Sequence, residues 1–245
     1  EAPMARLRLQ SLGDQWQARI DNPLSGPVQI ELRAAPGTQV EGLPLQSLVQ
    51  ATGSLVVGHL PSPANGKALD LRLQSVPGNP AARAEDVAYR LPFQAAQLRV
   101  DQAPQGRFSH DDDAIDFALP EATQVLAARE GTVMQVQDGF RGNGLDRERD
   151  AGRANFVRIL HSDGSMAMYA HLQAGGMRVR PGQAVQAGQP IGLSGNSGYS
   201  TAPHLHFVVQ LNQGMGLRSV PVRILAPQGE LHFAREGGGD ASAGR

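Results

Sequence analysis

The sequence predicts an all-β protein: a small β-sandwich domain followed by a second, histidine-bearing β domain. Three observations lead there. Apolar and polar residues alternate with a period of two, turn residues punctuate the alternating runs, and histidine is concentrated in the second half of the chain. With 245 residues, 40% of them apolar, the chain is long enough for two modest domains with cores of their own.

The alternation begins at once. Leu7 and Leu9, then Trp16, Ala18 and Ile20, alternate with polar partners. Val28, Ile30 and Leu32 do so around Gln29 and Glu31, and Leu69, Leu71 and Leu73 around Asp70 and Arg72. Side chains two apart share a face of a strand, so each run reads as a half-buried antiparallel strand. Turns are expected at Asn22-Pro23, Pro36-Gly37, Asn65-Gly66 and Pro77-Gly78-Asn79-Pro80. Short strands at this spacing predict a sandwich-like domain over residues 1–92. His59 is its only histidine and carries no catalytic constellation. Residues 93–107 read as a connector, with a short strand at Arg99-Val100-Asp101 and a break at Ala103-Pro104-Gln105-Gly106.

The second domain is expected over 108–227. It is strand-rich, at 123–136, 155–160, 166–172, 190–194 and 204–211, with no helical stripe longer than two turns. Gly139 to Ala154 is a long polar loop, and a loop of that length in a compact domain is usually functional or mobile. The mixed charges Asp146-Arg147-Glu148-Arg149-Asp150 within it read as a solvated loop in preference to a substrate clamp. Gly142 and Gly144 are no phosphate loop, because no Lys-Ser/Thr or helix follows. Residues 228–245, ending in the run Glu236 to Arg245, read as a flexible tail.

Composition narrows the function. A formal net charge of −1 offers no general attraction to nucleic acid or anionic membrane. The absence of cysteine removes disulfides, thiol catalysis and thiolate metal ligands together. No apolar run reaches the roughly 18 residues of a membrane span. The chain opens at Glu1-Ala2-Pro3, as a processed N-terminus would.

Five of the seven histidines fall between positions 110 and 206. Four of them sit in three compact signals. These are Phe108-Ser109-His110 with Asp111-Asp112-Asp113 and Asp116 behind it, Tyr169-Ala170-His171-Leu172, and Pro203-His204-Leu205-His206-Phe207. In a strand, His204 and His206 project from one face while Leu205 and Phe207 take the other. Neutral imidazole is a preferred zinc ligand, and a catalytic zinc takes three protein ligands. His161, in Leu160-His161-Ser162-Asp163-Gly164, reads as a structural residue at a hairpin turn. His232 reads as solvated.

These signals resemble the lysostaphin/LytM-type zinc endopeptidases of bacterial cell-wall turnover. The resemblance covers about residues 105–212. It runs through Asp116-Phe117-Ala118-Leu119-Pro120, Ala127-Ala128-Arg129-Glu130-Gly131-Thr132-Val133, Asn155-Phe156-Val157-Arg158-Ile159, Pro181-Gly182-Gln183, Gly195-Asn196-Ser197-Gly198 and the His204–His206 motif, in order. It implies a duplicated-hybrid-motif-like all-β module with an open groove over a central antiparallel sheet. It implies Zn2+ as cofactor with His110, Asp116 and His206 as ligands, His171 and His204 as the catalytic pair, and Asn155 as a contact to substrate. The implied substrate is peptidoglycan peptide, acted on by a periplasmic or secreted enzyme expected to be a monomer. The N-terminal domain would orient, inhibit or recruit. Some relatives lack metal ligands and activate wall amidases instead; here all five positions are filled, which favours an enzyme. A zinc-bound wall-binding module without turnover is the other alternative.

One departure stands out. Five residues separate His110 from Asp116, where the commonest pattern has three. Six residues fully extended would span about 20 Å, so this segment must bend back for both ends to reach one ion. Asp111-Asp112-Asp113 suits such a turn. Asp112 and Asp113 therefore compete with Asp116, which is favoured because it leads into the matching strand.

Overall fold

The computed structural model describes residues 4–62, 69–94, 98–102, 113–233 and 242–243. Asn65-Gly66, His110, Asp111, Asp112 and most of the tail lie outside the described residues. The chain divides into two compact units, one of Ala2–Ala82 with Asn212–Leu217 and one of Arg83–Leu211 with Arg218–Arg245.

The N-terminal unit is built of six strands: β1 (Arg6–Leu12), β2 (Gln15–Asp21), β3 (Val28–Ala34), β4 (Leu45–Val49), β5 (Ser54–Pro61) and β6 (Leu71–Pro77). They form two antiparallel three-stranded sheets, β1-β2-β5 and β4-β3-β6. The alternation read from sequence sorts their faces. Ala18 and Leu60 from one sheet and Leu32 from the other are fully buried in one apolar cluster, with Leu7, Leu9, Trp16, Leu45 and Leu73 packed against it. Asn22 closes the turn after β2, its amide donating to the carbonyls of Gly26, Val49 and Gln50 at 2.8, 3.1 and 2.9 Å.

The second unit begins earlier than the alternation suggests. Strand β7 (Ala88–Arg90) pairs in parallel with a strand near the C-terminus, and Tyr89 and Phe93 are buried in the core of this unit. The chain continues through β8 (Val100–Gln102), β9 (Ile115–Ala118), β10 (Gln124–Leu126), β11 (Gly131–Gln137) and β12 (Asn143–Gly144). A single helical turn, α1 (Arg147–Asp150), and a 3-10 turn over Ala151–Arg153 follow. Then come β13 (Phe156–Leu160), β14 (Met166–Ala170), β15 (Ala184–Val185), β16 (Pro190–Leu193), β17 (Gly198–Tyr199), β18 (His204–Asn212), β19 (Leu217–Ser219), β20 (Arg223–Ala226) and β21 (Gly229–His232). Residues 229–232, expected in the tail, pair antiparallel with β20, and Leu231 is buried. Among the described residues no helix is long and apolar enough to cross a membrane.

The central sheet runs β15-β11-β13-β14-β18-β9-β8, with β19 beside β18. Its two faces have different duties, and period two decides which residue serves which. One face supplies Val133, Val157, Ile159, Ala167, Tyr169, Leu205, Phe207, Val209, Ile115 and Phe117 to a single core. Tyr169 is wholly buried, and its hydroxyl accepts the Ala128 N–H at 2.8 Å. The intervening positions, among them Asp116, Arg158, His204, His206 and Gln210, take the opposite face.

The far end of the β13–β14 hairpin is closed by ion pairing. Arg129 reaches Asp163 at 2.7 Å with both side chains buried. Asp163 also accepts from the Ser165 N–H and hydroxyl. Burial raises the Asp163 carboxyl, but these bonds outweigh it and hold the group well below the usual carboxylate range. His161 is buried here, its ring edge-on to Tyr89 and its Nδ1 donating to the Glu130 carbonyl at 2.7 Å. This is the structural role expected for it. His232 is exposed, and His59 meets Gln17 on the exposed surface of the other unit.

Candidate active site

Four of the six predicted site residues come together where β9, β14 and β18 meet. Register does most of this. Ala170 pairs with His206, and His206 pairs with Asp116, so the three form one row across three strands. His204 pairs with Ala118 in the same way. An alanine beside each histidine leaves room above the sheet that a larger side chain would fill.

Asp116 Oδ1 lies 2.8 Å from His206 Nδ1 and 4.0 Å from His204 Nε2. The three side chains are 18%, 19% and 14% exposed, open to solvent on one side only. Burial raises the Asp116 carboxyl. The His206 hydrogen bond and the neighbouring imidazoles outweigh that, and its pKa falls below the ordinary value. Asp113 turns elsewhere: its carboxylate accepts from the Ser219 hydroxyl at 3.2 Å. Of the described carboxylates that competed for the role, Asp116 is the one brought to a histidine.

His171 follows β14 but leaves the strand path. Its backbone has φ 61°, in the left-handed region that few non-glycine residues occupy. This turns its ring toward the pair on β18, 4.4 Å from His204 and 5.9 Å from His206 between ring centres. Its Nδ1 lies 2.7 Å from the Ser197 carbonyl, which can only accept, so the proton sits on Nδ1 and Nε2 keeps its lone pair. His204 is held likewise: Nδ1 is 2.8 Å from the Ala202 carbonyl and 3.2 Å from the Ser200 hydroxyl. Both imidazoles are thus fixed in one tautomer by the chain behind them. Burial, then the neighbouring His204, pushes His171 down to about 3, so it is neutral at physiological pH.

Asn155 sits differently from its expected contact with substrate. It is fully buried. Its Oδ1 accepts the Phe140 N–H at 3.0 Å, and its Nδ2 donates to the Phe140 and Leu172 carbonyls at 2.8 and 3.1 Å. Its amide is spent on the chain itself, tying the start of the 139–154 loop to the segment that follows His171.

Ser197 and Ser200 carry roles that no periodicity announces. Ser197 accepts the Asn155 N–H at 3.0 Å and donates to the Leu172 carbonyl at 2.8 Å, while its own carbonyl holds His171. The glycines around it admit this packing. A Cβ on Gly195 would lie 2.7 Å from the Gln173 nitrogen, and one on Gly198 would lie 2.6 Å from the Ala154 nitrogen. The one visible signal is the Gly195-Asn196-Ser197-Gly198 turn itself.

Residues 110–216 match the model of peptidase family M23. Curated relatives include the DD-carboxypeptidase/endopeptidase Mpg of Neisseria meningitidis, 36% identical over 117 residues, 48% of this chain and 23% of that protein. The peptidoglycan DD-endopeptidase ShyA of Vibrio cholerae is 39% identical over 93 residues, 38% of this chain and 18% of that one. The present chain therefore spans less than a quarter of the length of either. Among solved structures, the catalytic domain of the antimicrobial peptidase lysostaphin from Staphylococcus simulans aligns at 30% identity with a TM-score of 0.34, over 51% of this chain and 78% of that one.

That family is one of metallopeptidases, and the donors gathered here fit a metal in kind. Asp116 Oδ1 and His206 Nδ1 form an oxygen–nitrogen pair of the sort zinc takes. The proton now shared between them is what a cation would displace. Among the described residues no group of three or more His, Cys, Asp or Glu forms a metal cluster; His110, the third expected ligand, lies outside them.

Proposed function

We propose that the domain is a zinc-dependent endopeptidase that hydrolyses peptide bonds in peptidoglycan stems or cross-bridges. The observation that carries this reading is the convergence of Asp116, His171, His204 and His206 beside one another, with the tautomers of His171 and His204 fixed. Relatives named as peptidoglycan endopeptidases support the substrate class. A wall substrate places the enzyme's action in the periplasm or outside the cell.

His110, Asp116 and His206 would hold the ion. When bound, zinc supplies Lewis acidity to the attacking water and to the scissile carbonyl. The remaining chemistry falls to the imidazoles. His171 and His204 both carry a lone pair on Nε2, because Nδ1 is committed to a backbone carbonyl. One of them accepts the proton of the attacking water and then delivers it to the leaving amine. The other stands 4.4 Å away between ring centres and orients the water, its own Nε2 accepting the second O–H. Asn155 holds the loop and the His171 segment together, a positioning role in place of direct contact.

The test is digestion of purified peptidoglycan by the zinc-loaded chain, with and without a chelator, followed by fragment identification. New free amines that vanish with chelator and return with zinc are expected. Binding to peptidoglycan with no released amine would replace this reading with a non-hydrolytic wall-binding role.

A further inference from the structure

The 139–154 loop is fastened to β17, just ahead of the histidine-bearing β18, through a short parallel pairing. Asn143 pairs with Gly198 and Gly144 with Tyr199. The Gly198 N–H donates to the Gly142 carbonyl at 3.1 Å, and the Ser200 N–H to the Gly144 carbonyl at 3.3 Å. Asn143 Nδ2 then donates to the Ser200 carbonyl at 2.8 Å. Ser200 is pinned at both its N–H and its C=O, four residues before His204.

The loop side of this fastening is itself rigid. Asp150 is buried, and its carboxylate accepts from the Asp146 N–H at 3.1 Å and from Arg149 at 2.8 Å twice. Asp146 caps α1 by accepting the Arg149 N–H. The Asp150 carboxylate lies 2.0 Å from where a Cβ on residue 144 would sit, so only glycine lets the loop close this tightly. The charges that looked like a solvated run are in part an internal brace.

On the other side, Ser200 faces His204. Its hydroxyl donates to the Ala202 carbonyl at 2.9 Å and lies 3.2 Å from His204 Nδ1. The hydroxyl and the carbonyl thus form a two-acceptor fork for the single Nδ1–H. Remove the hydroxyl, or let the Ser200 backbone drift, and one arm of the fork is gone. The Ala202 carbonyl then holds the Nδ1–H alone, the ring gains freedom to rotate about that bond, and Nε2 no longer keeps its place beside Asp116.

We propose that Asn143 and Ser200 form a clasp between the 139–154 loop and the segment leading into β18, holding the His204 ring with its Nε2 beside Asp116. The kinetic consequence rests on the peptidase reading above; the structural one does not. Neither residue touches the reacting atoms, so both act through His204.

Asn143→Ala and Ser200→Ala, each loaded with zinc, would be compared with wild type using a purified soluble muropeptide and long-range 1H–15N NMR of the histidine rings at neutral pH. Both substitutions should lower kcat about tenfold or more, the scale that misplacement of a reacting group produces. KM, zinc content and melting temperature should stay near wild type. The NMR should show one sharp set of His204 ring signals in wild type and broadened or doubled signals in both variants. Ser200→Thr, which keeps the hydroxyl, should restore the single set and most of kcat. Arg141→Ala, on the same loop but outside the clasp, should change neither. A single sharp set of His204 ring signals in both variants would overturn the clasp, as would a rise in KM alone, or a loss of zinc and melting temperature in step with kcat. If wild type releases no amine yet the His204 signals broaden or split as expected, the peptidase reading fails and the clasp stands.

Discussion

Replacing Asn155 with alanine separates a buried positioning residue from a substrate contact. Its side chain makes three hydrogen bonds, to the N–H and C=O of Phe140 and to the Leu172 carbonyl. The Leu172 carbonyl keeps a partner after the change, because the Ser197 hydroxyl also donates to it at 2.8 Å. Phe140 loses both of its partners. Each buried group left unpaired costs about 1–3 kcal/mol. Phe140 is only half-buried, so water can reach part of what is lost, and about 2–4 kcal/mol for the variant follows. In a chain of this size that lowers the melting temperature by about 5–15 °C. Asn155→Asp should be worse than Asn155→Ala: it keeps the acceptor for Phe140 but sets a carboxylate against two carbonyl oxygens. Thermal unfolding by circular dichroism, with kcat and KM on a muropeptide, reads both effects. A melting temperature within about 1 °C of wild type together with a raised KM would refute the buried role and return Asn155 to the groove.

Three further outcomes follow from the same geometry. His206→Ala should lose zinc affinity sharply, whereas His204→Ala should keep zinc and lose turnover by about a hundredfold or more; equal metal loss in both would mean the roles are wrongly divided. Tyr169→Phe removes the acceptor for the buried Ala128 N–H and should cost about 1–3 kcal/mol in denaturant unfolding, with an unchanged midpoint contradicting it. Acid should destabilise the second unit through His161, which burial lowers from 6.5 to about 4. The unfolded chain takes up this proton first, so the contribution is complete above 6.5 and is lost as pH falls through about 4, roughly 3 kcal/mol in all; His161→Gln should flatten that slope, and an equally steep profile would count against it.

What could be read from the sequence, and what could not, divides along a physical line. Strand alternation is local, so Leu7, Leu9, Ala18 and Leu32 announced their faces, and so did His204 and His206 against Leu205 and Phe207. Pairing between distant segments is not local. Tyr89 alternates like its neighbours to the N-terminal side, yet β7 pairs in parallel with β20, and that moves it into the second core. Leu231 follows the same logic: its burial depends on β20, not on the glycine-rich stretch that comes after. Asn155 is expected at the groove as a contact to substrate, but burial cannot be read from a sequence, and burial is what commits its amide to Phe140 and Leu172. The brace of Asp150, Arg149 and Gly144 looked like surface charge because mixed-sign runs usually are. Its meaning lies in a contact that only glycine permits.

The site is therefore assembled by two mechanisms of unequal robustness. Asp116, His204 and His206 are placed by register on strands whose opposite face is the core, so moving any of them by one residue would expose Phe117, Leu205 or Phe207. Their geometry is as stable as the sheet. His171 has no such guarantee. It lies one residue past the end of β14, in a left-handed backbone conformation, and its direction is set by the Ser197 carbonyl and by the bonds that hold the 195–198 turn. A non-glycine residue persists there only when its surroundings over-determine it, and here they do: Leu172 N–H bonds to Asn155, Asn155 to Phe140, and Ser197 to both Asn155 and Leu172. Asp116 and His206, two of the donors expected to hold the metal, thus belong to the sheet, and one of the two candidate proton carriers belongs to a hydrogen-bonded loop. Substitutions around Ser197 and Asn155 should act on turnover before they act on metal content, while substitutions at the apolar positions of β9 and β18 should lose both together.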